Sequence, residues 1–268
     1  VYSEPYGKIL IISPWNYPFQ LAILPTMSAV AAGTTVVLKP SEHAPHTSKL
    51  IKDIIEKVFE KSHVLVIEGA AETASKLLEY RWDYIFFTGS VRIGKIVAAA
   101  AAKTLTPITL ELGGKNPCII DDTIDLKLAA RRIVWGKFVN AGQTCIAPDF
   151  LIVKNNIKDK LIGELLSEIK RAYGENPENS EDYPRIVNKT NLSRLSNLIE
   201  GTNIVYGGKY NIDTCYFSPT IIDEPKIESP LMAEEIFGPI LPVISYDNEN
   251  EIEKLILKYE KPLALYVF

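Results

Sequence analysis

The stretch TTVVLKPSEHAPHTSKLIKDIIEKVFEKSHVLVI (34–67) decides the fold, because it contains one complete strand–helix–strand unit. Residues 34–39 are rich in β-branched side chains and predict a strand. Residues 44–60 carry apolar side chains at the spacing of one helix face, at Leu50, Ile51, Ile54, Ile55 and Val58. Residues 63–67 predict the next strand. Two strands joined by a helix lie parallel in one sheet, so the chain is predicted to belong to the α/β class.

The same alternation continues on both sides of this unit. Strands are predicted at 7–13, 83–88 and 108–112, and helices at 19–32, 71–80 and 91–103. The helix at 19–32 is apolar on all sides, so we expect it to be buried. Short helical connections between parallel strands are typical of a Rossmann-type, nucleotide-binding sheet with helices on both faces.

The paired glycines Gly113-Gly114 interrupt the alternation and predict a domain boundary, with a first domain at 1–112 and a second α/β domain at 113–268. In the second domain we predict strands at 118–120 and 150–153, helices at 126–138, 158–172, 191–200 and 249–259, and a solvated loop at 174–183. The apolar run at 263–268 predicts a buried strand. Because the chain starts at Val1 and ends inside that strand, we expect it to be an internal piece of a longer protein.

Composition excludes several functional classes. The 268 residues include 29 Lys and Arg against 33 Asp and Glu, a net charge of −4, which gives no broad attraction for nucleic acid or an anionic membrane. No apolar run approaches the ~18 residues of a membrane span. The three cysteines are widely spaced, which argues against a disulfide framework and favours a reducing, cytoplasmic location. Only His43 and His46 lie close together, and without a third ligand nearby we expect no metal site.

Cys145 is the first candidate for chemistry. It follows a predicted helix in the segment NAGQTC (140–145), where small neighbours would let a substrate carbon approach the sulfur. No histidine lies nearby in sequence to serve as the usual thiol base. The alternative is a buried structural cysteine, a frequent place for a free thiol.

Glu111 and Asn16 are candidates because each follows an apolar strand. Glu111 stands between two leucines and precedes two glycines, and partial burial there would suit its carboxyl group to general base work. Its alternative is an edge-strand glutamate in solvent. Asn16 lies in PWNYP (14–18), at the sheet edge where α/β active sites occur, and its alternative is an ordinary turn residue.

Two further strand ends could bind a nucleotide. Lys39 and Glu42 follow the second strand and could hold ribose hydroxyl groups, or could be an ordinary pair at a helix start. Gly89 and Ser90 end the fourth strand, where free N–H groups at a helix N-terminus would favour a phosphate. The chain lacks the GxGxxG fingerprint, so this signal is weak by itself. The segment MAEEIFGP (232–239) could be a solvated acidic turn with one core phenylalanine.

Taken together, these segments resemble the aldehyde dehydrogenase superfamily, and within it the class 3 branch that includes fatty aldehyde dehydrogenases. The resemblance runs along the whole chain, in the family's order and spacing, on the segments PWNYP (14–18), LKPSE (38–42), FTGSxxxG (87–94), ELGGK (111–115), NAGQTC (140–145) and EEIFGP (234–239). It implies an atypical Rossmann domain lacking GxGxxG, followed by a catalytic domain. It also implies that an N-terminal helical part and a C-terminal part with a dimerisation arm lie outside this chain.

The resemblance implies a reaction and its residues. Cys145 matches the nucleophile that forms a thiohemiacetal and then a thioester, Glu111 matches the base that activates water, and Asn16 matches the amide that stabilises the oxyanion. NAD is the implied cofactor, with NADP as an alternative, and a homodimer acting on a small aldehyde is implied for the whole protein. The residues that match cofactor-binding positions are Lys39, Glu42, Gly89, Ser90, Gly94, Glu235 and Phe237.

Two rival interpretations remain. An acylating relative would pass the thioester to coenzyme A or phosphate, but such relatives generally lack a base at the position of Glu111. A non-catalytic protein could also keep the fold, although the presence of both Cys145 and Glu111 argues against it.

Overall fold

The computed structural model describes residues 2–259 and 261–268, which form two compact units. Unit 1 ends at Leu112 and unit 2 begins at Gly113. In unit 1, strands and helices alternate as β1 (Lys8–Ile12), α1 (Gln20–Ala31), β2 (Thr35–Lys39), α2 (Pro45–Val58), β3 (Val64–Val66), α3 (Ala71–Leu77), β4 (Tyr84–Thr88), α4 (Val91–Ala102) and β5 (Ile108–Glu111). The predicted α/β class is confirmed.

The strands of unit 1 pair in parallel in the order β3-β2-β1-β4-β5. Both faces of this sheet are covered, which explains why β1 is an uninterrupted apolar run and not an alternating one. Ile9 and Ile11 pack on the face that includes Ile51 of α2, whereas Leu10 and Ile12 pack on the opposite face with Val97 of α4. The strand order reverses between β1 and β4, the position where open α/β sheets form a ligand crevice.

Helix α1 differs from its prediction as a buried helix. Of its side chains only Ala22 and Thr26 are buried, whereas Leu24 is 52 % exposed and Met27 is 60 % exposed. A helix on one face of a sheet turns only one of its sides toward that sheet. An apolar composition all round therefore did not determine burial here.

Unit 2 contains β6 (Pro117–Ile120), α5 (Leu126–Phe138), β7 (Phe150–Lys154), α6 (Lys158–Tyr173), α7 (Lys189–Leu198), β8 (Ile204–Tyr206), β9 (Tyr210–Asn211), β10 (Tyr216–Phe217), β11 (Thr220–Asp223), α8 (Pro230–Ala233), β12 (Ile240–Tyr246), α9 (Glu249–Ile256) and β13 (Tyr266–Val267). The main sheet has the order β13-β6-β7-β12-β11-β8 and is parallel except for β8. Strands β9 and β10 form a separate antiparallel pair.

Side-chain caps set where the helices of unit 2 begin. The Asp125 carboxylate accepts hydrogen bonds from the first N–H groups of α5, and Asn188 does the same for α7. The core lies on the face where α5 and α6 pack together, with Ile133, Leu161 and Leu165 fully buried. The predicted loop at 174–183 is irregular apart from one short 3-10 turn at Pro177–Asn179.

The end of the chain also differs from its prediction. Only Tyr266–Val267 form a strand, and Leu263, Leu265 and Val267 are 43 %, 54 % and 67 % exposed. The reason is that β13 lies at the sheet edge, where it pairs with β6 alone. Across the described residues, no helix combines the length and apolar character needed to cross a membrane.

We predict that Leu165→Ala lowers the free energy of unfolding of unit 2 by about 3 kcal/mol, because it removes a fully buried side chain from the α5–α6 core. The matched control is Leu257→Ala, a leucine that is 74 % exposed, for which we expect a change below about 0.5 kcal/mol. Urea unfolding followed by circular dichroism measures both. Equal losses in the two variants would contradict this account of the core.

Candidate active site

In unit 1, the candidate residues lie along a single edge of the sheet. Lys39 ends β2, Glu111 ends β5, and Asn16 follows β1 in a half-buried turn that leads to α1. Gly89 and Ser90 follow β4. Because all five strands are parallel, their carboxyl ends share one edge. The structure therefore brings together the candidates that belong to unit 1.

Lys39 and Glu42 form an ion pair at this edge. The Lys39 ammonium donates to the Glu42 carboxylate at 2.8 Å, and the lysine side chain is 4 % exposed against 33 % for the glutamate. Partial burial opposes ionisation of Glu42, but the hydrogen bond and charge of Lys39, together with His43, outweigh it and lower the pKa of Glu42. Lys39 therefore holds the Glu42 side chain as an ionised carboxylate at the sheet edge where these two residues were expected to bind ribose hydroxyl groups.

The turn between β4 and α4 corrects one prediction. The Gly89 N–H is not free for a phosphate, because it donates to the Glu111 carbonyl at 3.0 Å and so extends the β4–β5 ladder. Ser90 is the N-cap of α4, and its hydroxyl accepts from the Ile93 N–H at 3.4 Å. Any N–H available to an anion must therefore come from the first turn of α4 and not from Gly89.

Gly89 in this turn and Gly94 in α4 occupy places where a side chain would not fit. A Cβ at Gly89 would lie 2.5 Å from the Phe87 ring, and a Cβ at Gly94 would lie 2.8 Å from the Leu112 side chain. Gly94 thus lets α4 pack closely against the end of β5. This is the packing role that a glycine has at a dinucleotide turn.

Glu111 does not have the partial burial that was predicted from its apolar neighbours. It is exposed, because β5 is the edge strand of the sheet and Glu111 is its last residue. In its exposure, Glu111 therefore fits the alternative interpretation, an edge-strand glutamate that reaches solvent. Its position at the carboxyl edge, however, is the one expected of a group that acts on a ligand.

In unit 2, Cys145 follows a turn with unusual backbone geometry. Asn140, Ala141 and Gly142 all adopt positive φ, at 51°, 51° and 72°. The Gln143 side chain holds this turn, because its amide donates to the carbonyls of Asn140 (3.0 Å) and Arg185 (3.1 Å) while its oxygen accepts from the Val187 N–H (2.9 Å). Left-handed conformation in non-glycine residues is costly and is found most often at functional sites.

Asn116 fixes the other side of this turn. Its amide nitrogen donates to the carbonyls of Cys145 (2.8 Å) and Ala147 (3.0 Å), and its oxygen accepts from the Ala264 N–H (2.9 Å). The sequence reasoning missed both Asn116 and Gln143 as contributors to the site. The signal available was their place in the sequence, since Gln143 lies within NAGQTC (140–145) and Asn116 directly follows ELGGK (111–115).

The three cysteines differ in accessibility. Cys118 lies inside β6 with no exposed surface, and burial raises the pKa of its thiol to about 12. Cys145 is half-buried on its turn, as is Cys215, whose thiol contacts the Ile212 carbonyl. None of the three is in a disulfide within the residues that the structure describes. The alternative of a buried structural cysteine therefore fits Cys118 and not Cys145.

Glu235 and Phe237 lie on an irregular segment between α8 and β12, which was interpreted alternatively as a solvated turn. That alternative is wrong, because Ile236 in its centre has no exposed surface. The Glu235 carboxylate lies against Gly113, where no Cβ could be accommodated. Burial and then the charge of Asp149 raise the pKa of Glu235 to about 7, although the Gly114 N–H, Lys137 and Arg194 favour its ionised form.

Lys137 is a charged neighbour that the sequence reasoning also missed. It is 1 % exposed at the end of α5, and burial lowers the pKa of its ammonium group to about 8, with Asp149 and Glu235 acting in the opposite sense. A buried lysine is rare unless an acidic group is near.

His43 and His46 are exposed, and the described part of the chain contains no group of three side chains that could hold a metal ion.

The sequence profile of the aldehyde dehydrogenase family matches residues 1–268. The chain is 46 % identical over its full length to the mouse protein "aldehyde dehydrogenase, dimeric NADP-preferring", of which it covers 59 %, and 44 % identical to "aldehyde dehydrogenase family 3 member A2" of Pongo abelii, of which it covers 55 %. A structure of the substrate-bound state of Staphylococcus aureus AldH superposes with a TM-score of 0.96 at 46 % identity, over 99 % of this chain and 58 % of that one.

These matches extend over all six segments that carry the resemblance. The chain spans somewhat more than half the length of these relatives. The resemblance inferred from the sequence is confirmed: the chain belongs to the aldehyde dehydrogenase family.

Proposed function

We propose that the protein oxidises an aldehyde to a carboxylic acid with NAD or NADP as the hydride acceptor. The observation that carries this proposal is the position of Cys145: a half-buried thiol on a left-handed turn that Gln143 and Asn116 hold from both sides. A nucleophile must be held close to its attack geometry, and this turn is fixed by side-chain hydrogen bonds and not by regular structure.

The residues of unit 1 fit a dinucleotide. The sheet reverses its strand order between β1 and β4, and Lys39 ends β2 and pairs with Glu42. A side chain would not fit at Gly89 after β4 or at Gly94 in α4. We assign Lys39 and Glu42 to the adenine ribose, and Gly89, Ser90 and Gly94 to the turn facing the pyrophosphate. In unit 2, Glu235 is assigned to the nicotinamide ribose and Phe237 to packing against the nicotinamide. The bound cofactor supplies the hydride acceptor.

The chain's own residues carry the remaining steps. The Cys145 thiolate attacks the aldehyde carbon and forms a thiohemiacetal. The Asn16 amide and the Cys145 backbone N–H hold the oxyanion, and donors of this kind contribute about 3 kcal/mol each. Loss of the hydride leaves a thioester on Cys145, and Glu111 takes a proton from the water that hydrolyses it. The exposure of Glu111 supports this role, because a base in deacylation must reach water.

The cellular location and the oligomeric state of the whole protein are inferred from its cysteines and from the name of one relative. In the described part of the chain none of the three cysteines forms a disulfide, which supports a reducing location, and we propose the cytoplasm. The name of the mouse relative describes that protein as dimeric, and we propose a homodimer for the full-length protein.

The main test is Cys145→Ala in the full-length protein. We expect dehydrogenase activity to fall by at least ~10³-fold, the scale on which removal of a covalent nucleophile acts. Production of NADH or NADPH from an aldehyde is measured by absorbance. Cys215→Ala is the matched control, because that thiol is also half-buried but lies on a different turn, and it should keep normal activity. Near-normal turnover of Cys145→Ala would refute the assignment.

Glu111→Gln separates acylation from deacylation. The glutamine cannot activate water, so we expect a normal first-turnover burst of reduced cofactor followed by a steady-state rate at least ~10²-fold lower. Rapid-mixing absorbance measures both phases, and Glu164→Gln on α6 serves as an unrelated control. If burst and steady state fall together, Glu111 acts before the thioester forms. Formation of an acyl-coenzyme A product by the wild type would favour the acylating alternative.

Glu42→Gln tests the choice of cofactor. The Glu42 carboxylate accepts from a ribose 2′-hydroxyl and repels a 2′-phosphate, so wild type should prefer NAD. The substitution removes the negative charge that faces the Lys39 ammonium at 2.8 Å, and we expect the ratio of kcat/KM for NAD to that for NADP to fall about tenfold. Glu56→Gln on α2 is the control. A wild type that prefers NADP, or a ratio that Glu42→Gln leaves unchanged, would contradict this prediction.

A further inference from the structure

The peptide groups of Ile236 are held on both sides by charged side chains from other elements. The Ile236 N–H donates to the Asp149 carboxylate at 2.9 Å, and the Ile236 carbonyl accepts from the Arg194 guanidinium at 2.5 Å. Asp149 precedes β7, whereas Arg194 lies on α7. Hydrogen bonds with a charged partner are about twice as strong as neutral ones. Ile236 is therefore fixed more firmly than an ordinary loop residue.

Asp149 is itself fixed by a buried ion pair. Its other carboxylate oxygen accepts from Lys115, and the two side chains are only 3 % and 4 % exposed. Lys115 also donates to the Leu231 carbonyl at 3.0 Å, just before the segment that contains Ile236. Buried ion pairs are weak sources of stability, since desolvation opposes the attraction. A role in holding the backbone explains this pair better than stability does.

The segment 234–238 has no regular structure with which to hold itself. It lies between the end of α8 and the start of β12, and Phe237 adopts a left-handed φ of 46°. Gly238 packs so closely against Leu195 of α7, and its carbonyl so closely against Gly142, that neither glycine could carry a Cβ. The segment is thus confined by α7 on one side and by the turn that precedes Cys145 on the other.

The same residues determine the charge around Glu235. The charged groups that face the Glu235 carboxylate are Asp149, Lys137 and Arg194, together with the Gly114 N–H. Arg194 in turn faces Glu234, Glu235 and Asp149, and Lys115 faces Lys137. Of these, Asp149 raises the pKa of Glu235 whereas Arg194 lowers it. Loss of the Arg194 charge would therefore raise the pKa of Glu235 further.

We propose that Asp149 and Arg194 are positioning residues. By hydrogen bonding to the peptide groups on the two sides of Ile236, they hold Glu235 and Phe237 in the positions from which these residues contact the cofactor. The proposal rests on the proposed function, because the roles of Glu235 and Phe237 belong to it. The two hydrogen bonds to Ile236 lie within unit 2, and their effect on the segment 234–238 can be measured without turnover.

The first test is hydrogen–deuterium exchange of the full-length protein. In Arg194→Met, we expect faster deuterium uptake in the peptide covering 232–240, with uptake in β6 and β7 unchanged. Lys189→Met is the matched control, because it removes a cation from the same helix that pairs with Asp213 at the surface. Equal uptake in wild type and Arg194→Met, or the same increase in Lys189→Met, would overturn the proposal.

The second test is direct NAD binding by calorimetry across pH. We expect the Kd of Arg194→Met to rise about tenfold at pH 7.5, and Arg194→Lys, which keeps a cation able to reach the carbonyl, to recover most of the affinity. Binding should weaken in wild type as the pH falls through about 7, because Glu235 then loses its negative charge. In Arg194→Met that midpoint should move to higher pH.

The two tests distinguish this proposal from the proposed function. A wild type that binds neither NAD nor NADP refutes the proposed function. It also removes the role of Asp149 and Arg194 in cofactor binding, which depends on that function. A wild type that binds NAD while Arg194→Met binds equally well, with the same pH midpoint, overturns the positioning role proposed here and leaves the proposed function intact. Arg194→Lys provides the milder variant if Arg194→Met does not fold, and its exchange in 232–240 should then still exceed that of wild type.

Discussion

The parallel register of β6 and β7, which sets Pro117 beside Phe150, is the constraint on which the rest of unit 2 depends. The residues just before these two strands meet because of it. Lys115 pairs with Asp149, and the Asp149 N–H donates to the Asn116 carbonyl at 2.8 Å. From this point Asn116 reaches the turn of Cys145, and Asp149 reaches Ile236. One strand pairing therefore places two irregular segments.

Those segments need such anchors because backbone polar groups inside a protein must find partners. A turn with left-handed residues at Asn140 and Ala141 cannot supply them from a helix or sheet ladder. Amide and carboxylate side chains take over that task, from Asn116, Gln143 and Asp149. The result is irregular backbone with a fixed shape. Chemistry requires this, since small displacements of a nucleophile or a ligand-binding group slow a reaction strongly.

In unit 1, the same principle appears at the edge of a parallel sheet. Every strand ends at this edge, so residues far apart in sequence, such as Asn16 and Glu111, share it. The charges there are balanced locally, because the buried Lys39 ammonium has Glu42 as its partner. A ligand with a negative group near Glu42 must compete with that carboxylate for Lys39. Under the proposed assignment of Lys39 and Glu42 to the adenine ribose, discrimination between cofactors is a competition between two anions for one cation.

The sequence by itself determined the kind and order of most elements. Apolar periodicity predicted α5 with its correct bounds and most other elements to within a few residues, because this signal is local. The six family segments also identified the candidate residues, among them Cys145, since a motif records which side chains a reaction needs. Family membership followed from the same local information.

Only the tertiary structure decided exposure and partners. The exposure of Glu111, the half-exposed α1 and the edge position of β13 depend on which neighbours the folded chain provides. The Gly89 N–H is occupied because β5 lies beside β4, a contact between residues 22 positions apart in sequence. Asp149 and Arg194 showed no pattern of their own, because each acts on backbone from a distant segment. Local sequence determines what a segment becomes, but a hydrogen bond between distant segments exists only after the chain has folded.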